Sequence, residues 1–128
     1  MRAPWMAAIV AVVGIVGAGA GRAQDRDRDE DQRLLRLSAQ AESASQHARV
    51  ADELIDRATA LDAQAARLLR TSHRLERSRF PNEHKLMASQ QPGYAERAQA
   101  RKAEKTARLH RRLAWHHRQK ADTLSVEP

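Results

Sequence analysis

Cysteine is absent from the 128 residues, which excludes disulfides, a thiol nucleophile, Cys-ligated metal and a lipid anchor on cysteine. With no thiol to read, the redox compartment has to be inferred from other features. Glycine occurs only at 14, 17, 19, 21 and 93 and proline only at 4, 81, 92 and 128, so residues 22–80 contain neither helix breaker. A run of that length is free to stay helical. Aromatic residues make up 3% of the chain, and beyond residue 23 Leu, Ile, Val and Phe together number 16 of 105. That lies below the roughly 20% at which high charge begins to favour disorder. A thick globular core is excluded, leaving a thin contact between helices that would gain from a second copy of the chain or from a bound partner. Enzymatic signatures are missing as well. There is no phosphate-binding glycine loop, no Gly-x-Ser-x-Gly and no strand framework for a triad, so a non-enzymatic role without a cofactor is expected.

What is present begins with a targeting pattern. Arg2 precedes an apolar run from Met6 to Ala18, and the small residues Gly17, Ala18, Gly19, Ala20, Gly21 and Ala23 follow. This is the three-part plan of a secretory signal over residues 1–23, with Ala18-Gly19-Ala20 or Gly21-Arg22-Ala23 as the cleavage site. The alternative is an uncleaved anchor, because 19 uncharged residues of helix reach about 28 Å. Either way the body is expected to be exported, periplasmic or secreted. Residues 24–31 read as a polar, mixed-charge flexible leader.

The body reads as all-α. Val50, Leu54, Ala58, Leu61, Ala65, Leu68, Ser72 and Leu75 recur at spacings of four and three, forming one stripe of a helix. The helical pattern is unbroken over 32–79, but its earlier apolar set (Leu34, Leu37, Ala41, Ala44, Ala48) lies about 120° away, which predicts a bend or a change of partner near Ala48 to Leu54. Phe80-Pro81-Asn82 stops the helix, and residues 80–93 form a turn with a short helical segment from Glu83 to Ser89. A second, shorter helix follows over 94–123, with a tail at 124–128. Its inner side carries Ala100, Ala103, Ala107, Leu109, Leu113, Ala114, Ala121 and Leu124. A short connection predicts an antiparallel helical hairpin with a coiled-coil-like Ala/Leu seam.

Charge is divided along the chain. Residues 24–66 carry 6 basic and 10 acidic side chains, whereas 67–120 carry 15 basic and 4 acidic. A cluster of like charge repels itself until an anion lies against it. Arg101, Lys105, Arg108, Arg111, Arg112, Trp115 and Arg118 are expected on one side of the second helix, facing an acidic envelope partner: anionic lipid at a membrane surface, polysaccharide or an acidic protein. Nucleic acid fits the charge but not the export signal. Trp115 reads either as a ring held among arginines by cation–π contact or as the apolar anchor of a binding face. The rival function is a metal-responsive hairpin using His110 and His117. Seven residues apart, these two stand about 10 Å from each other along a helix, too far to chelate alone, and no His-Glu-x-x-His occurs. No metal is therefore expected, and a pH-sensitive seam is the preferred special role for histidine.

Overall fold

The computed structural model of the chain describes residues 22–78 and 87–126. Among them every regular element is helical: α1 spans Arg22–Gln40, α2 Ala44–Arg77 and α3 Tyr94–Val126, with a 3-10 turn at Ala88–Gln90. None of these helices is long and apolar enough to cross a membrane. The export segment before Arg22, the Phe80-Pro81-Asn82 stop and most of the short segment 83–89 lie outside the described residues.

Contacts divide the chain into two units, Met1–Arg33 and Leu34–Pro128. In the first, the expected flexible leader at 24–31 is instead helical. No Gly or Pro interrupts it, Asp25 sits in the first turn where the helix dipole favours an acid, and Arg33 holds Glu30 one turn back with bonds of 2.8 and 3.3 Å.

In the second unit, the helix expected to run from 32 to 79 is two helices. Ser43 adopts extended backbone (φ −95°, ψ 159°) and caps α2. Its hydroxyl accepts from Gln46 N at 3.2 Å, while the Gln46 side chain accepts from Ser43 N at 3.1 Å and Glu42 N at 2.9 Å. This reciprocal capping box satisfies amide groups that a continuous helix would bond internally, so a break needs neither Gly nor Pro. The turn of the apolar stripe follows from this break a few residues upstream. Leu34 is fully buried, while Ala48 is exposed.

With α1 separate, α2 and α3 are nearly equal, at 34 and 33 residues, and the second helix is not the shorter partner expected. It runs on to Val126, so most of the tail is helical. The two pack closely along their length. Small buried residues recur every seven positions on both: Ala51, Ala58, Ala65 and Ser72 on α2, and Ala100, Ala107, Ala114 and Ala121 on α3. Leu54 and Leu61 alternate with the small set on α2, and Leu68 and Leu69 close over the cluster of Ala58, Leu61, Ala65, Ala100, Ala103 and Ala107. Two expected inner residues stand outside: Leu75 is 37% exposed and Leu109 is 36% exposed. Cross-helix pairs place Glu76 by Arg97, Asp62 by Arg111, and Asp52 and His47 by the adjacent Arg118 and His117, so from one end of the contact to the other numbers fall along α3 as they rise along α2.

One close approach sets the start of α3. Gly93 has φ +82°, and a Cβ there would lie 2.7 Å from Ser72 Oγ and 2.8 Å from Ser72 O. The fully buried Ser72 donates its hydroxyl to Gly93 O at 3.1 Å, and Arg97, ion-paired with Glu76, donates to the same Oγ at 3.2 Å. Gly93→Ala combines a left-handed backbone with a collision against main-chain oxygen. It is expected to destabilise the fold by about 2–4 kcal/mol in urea denaturation, whereas Ala63→Gln on the exposed face of α2 should leave the midpoint unchanged. Equal midpoints for Gly93→Ala and the parent chain would contradict this.

Candidate functional site

Two groups of chemistry-bearing side chains stand out on α3, one outside the contact with α2 and one within it.

The outer group is the expected basic face, and all seven of its residues are exposed. It divides in two. Arg111 and Arg118, seven apart, flank the contact and reach α2: Arg111 pairs with Asp62, and Arg118 Nη2 lies 3.5 Å from Asp52 Oδ1. Exposed pairs of this kind contribute roughly 0–1 kcal/mol each, but they commit two of the six cations to acids of the same chain. Arg101, Lys105, Arg108, Arg112 and Trp115 follow at spacings of four, three, four and three. That is a stripe of its own, about 21 Å long, on the side away from the buried alanines. Among the described residues no acid pairs with any of these four cations. Trp115 is 56% exposed, and its ring meets His116 edge-on at 5.0 Å and 71° rather than stacking on an arginine.

The inner group consists of imidazoles. His110 and His117, the weak metal candidates, are buried in the α2 contact at 6% and 4% exposure. They occupy the positions that alternate with the small residues of α3, where α2 carries leucine. The structure does not bring them together at one centre. It places His117 against His47 of α2, with Nδ1 to Nδ1 2.7 Å and ring centroids 5.0 Å apart. His117 Nε2 lies 2.6 Å from the hydroxyl of Ser38 on α1. His47 precedes the stripe that runs from Val50, yet it sits seven residues before Leu54, in the same leucine series. Among the described residues no three metal-capable side chains gather. His73 is exposed beside Glu76 at 3.4 Å, and His84 lies outside the described residues.

Burial, followed by the fields of His47, His116 and Lys120, pushes His117 down to about 4, and burial and Lys120 lower His47. The two rings face each other as neutral bases in a medium that resists charge. No family model matches the chain, and neither a curated protein nor a solved structure matches it.

Because His117 titrates lower when folded than its ordinary 6.5, the unfolded chain binds more protons between those values. Stability is therefore complete above about pH 6.5, falls as pH drops toward 4, and levels off below that. Between pH 7.5 and 5, above the range of ordinary carboxylates, the His47–His117 pair should remove on the order of 1–2 kcal/mol of unfolding free energy. Urea denaturation at the two pH values measures this, and a flat profile would contradict it.

Proposed function

We propose that the chain is an exported, non-enzymatic helical protein that binds an acidic component of the cell envelope through the outer stripe of α3. In this reading α2 and α3 form an antiparallel hairpin with a coiled-coil-like Ala/Leu seam, which the falling order of cross-helix pairs supports. The observation that carries the function is the stripe Arg101, Lys105, Arg108, Arg112 and Trp115: four exposed cations without acidic partners among the described residues, ending on an exposed indole. Like charges at this spacing raise the local concentration of any polyanion, and a ring beside them adds an apolar anchor. Export rests on the sequence of residues 1–23, and it favours anionic lipid, surface polysaccharide or an acidic protein over nucleic acid. The rival, a metal-responsive hairpin using His110 and His117, has buried imidazoles in its favour. Against it stands the pairing of His117 with another imidazole near the ammonium of Lys120, a poor setting for a cation.

The division of the basic face gives the test. Trp115→Ala should weaken binding to anionic vesicles or to a sulfated polysaccharide by about 1–2 kcal/mol without loss of helicity. Arg108→Glu combined with Arg112→Glu should abolish binding and flatten its salt dependence. Arg118→Ala, which removes a cation already turned to Asp52, should change affinity less than Arg112→Ala. Co-sedimentation at two salt concentrations, with circular dichroism of each variant, measures all three. Equal losses for Arg118→Ala and Arg112→Ala would remove the stripe as the site.

A further inference from the structure

His117 uses both ring nitrogens to tie three helices together. Nε2 meets Ser38 Oγ of α1 at 2.6 Å, and Nδ1 meets His47 Nδ1 of α2 at 2.7 Å. Two facing ring nitrogens at that distance share one proton, so one imidazole donates and the other accepts. The groups that face the pair are the Ser38 hydroxyl from α1, His47 itself from α2, and His116 and Lys120 from α3. Among the described residues no carboxylate joins them to compensate an added charge. The neighbouring Arg118 turns to Asp52 instead.

Proton arithmetic then distinguishes two steps. A first added proton leaves the bridge intact, because a cationic ring still donates from Nδ1 to the bare Nδ1 of its neutral neighbour. Ser38 adapts, since a hydroxyl either donates or accepts. A second proton puts N–H on both facing nitrogens, and two cations at that separation repel in a site with low access to water. The rings must then part, and as the His117 ring moves off His47 its Nε2 is drawn away from Ser38. The consequences differ between helices. α2 and α3 keep a long contact, the ion pairs Arg111–Asp62 and Arg97–Glu76, and the Ser72–Gly93 bond. The last turns of α1 keep little besides the buried Leu34 and the partly buried Leu35 and Leu37.

We propose that Ser38, His117 and His47 form an acid-operated latch that holds the end of α1 on the α2–α3 pair at neutral pH and releases it when both imidazoles are protonated. The inference is independent of what the outer stripe binds. For an exported chain it would couple α1 to the acidity of the medium.

Because the chain has no cysteine, pairs of introduced cysteines can be spin-labelled without background. Full-length protein in detergent micelles carrying Ala39→Cys with Gln119→Cys reports the separation of α1 from α3, and Ala60→Cys with Lys102→Cys reports that of α2 from α3. All four positions are exposed. Electron–electron distance measurements at pH 7.5 should give one narrow distribution for each pair. At pH 4 the first should lengthen and broaden at least twofold while the second stays fixed. His47→Asn keeps a donor and an acceptor near the Nδ1 position but does not titrate, so it should hold α1 docked through pH 4 or lower the release midpoint by at least one pH unit. The latch is overturned if α1 stays docked at pH 4 in the parent chain, if both pairs broaden together, or if His47→Asn releases α1 at the parent midpoint.

Discussion

The distance between α2 and α3 is governed by eight small side chains, four on each helix at intervals of seven. Alanine and serine let two backbones approach to the near end of the usual interaxial range, but each buries little apolar area. The larger side chains in the alternating positions, Leu54 and Leu61 on α2 and His110 and His117 on α3, together with Leu113 next to Ala114, have to fill what space remains. Close approach also explains why short aspartates can meet arginines of the facing helix, as Asp62 and Asp52 do with Arg111 and Arg118. The inner imidazole pair and the separation of rim arginines from outer ones both depend on how near the two helices lie.

Much of this was legible in the residues themselves. The spacing of Val50, Leu54, Ala58, Leu61 and Ala65 locates the buried side of α2, and Ala100, Ala103, Ala107, Leu113, Ala114 and Ala121 that of α3, because a 3.6-residue period is robust to the choice of partner. The interruption at 41–43 was less visible, since a capping box is built from ordinary polar residues and competes with helix continuation by only a small margin. Its signature, Ser43 followed three residues later by Gln46, was nevertheless present. The helical state of 24–31 is hidden because alternating Asp and Arg resembles a solvated leader in composition, while local pairs such as Glu30 with Arg33 decide for helix.

The candidate sites divide in the same way. Exposure of the basic residues followed from their position opposite the alanines, but the capture of Arg111 and Arg118 by α2 depends on cross-helix alignment that one helix's periodicity cannot supply. The pairing of His47 with His117 is likewise a long-range fact, joining residues 70 apart in sequence. Both imidazoles lie in the series of larger buried side chains, so their burial was within reach of sequence reasoning and their contact was not.

A contact built on a seven-residue repeat of small side chains has an ambiguity built into it. Sliding α3 along α2 by one repeat sets alanine against alanine again, and nothing in the small residues distinguishes the shifted alignment from the true one. The distinction comes from features that occur once. At one end Gly93 fits only over Ser72, where a side chain would strike the main chain. At the other, His47 meets His117, and a slip that brings up Leu124 would leave the buried imidazole of His47 without a ring partner, while the opposite slip, which brings up His110, is opposed by the fit of Gly93 on Ser72. Polar groups in a helix contact commonly trade stability for a unique alignment in this way. The two ends of the α2–α3 pair therefore act as an index mark on an otherwise repeating scale, fixing the register that the alanines leave open.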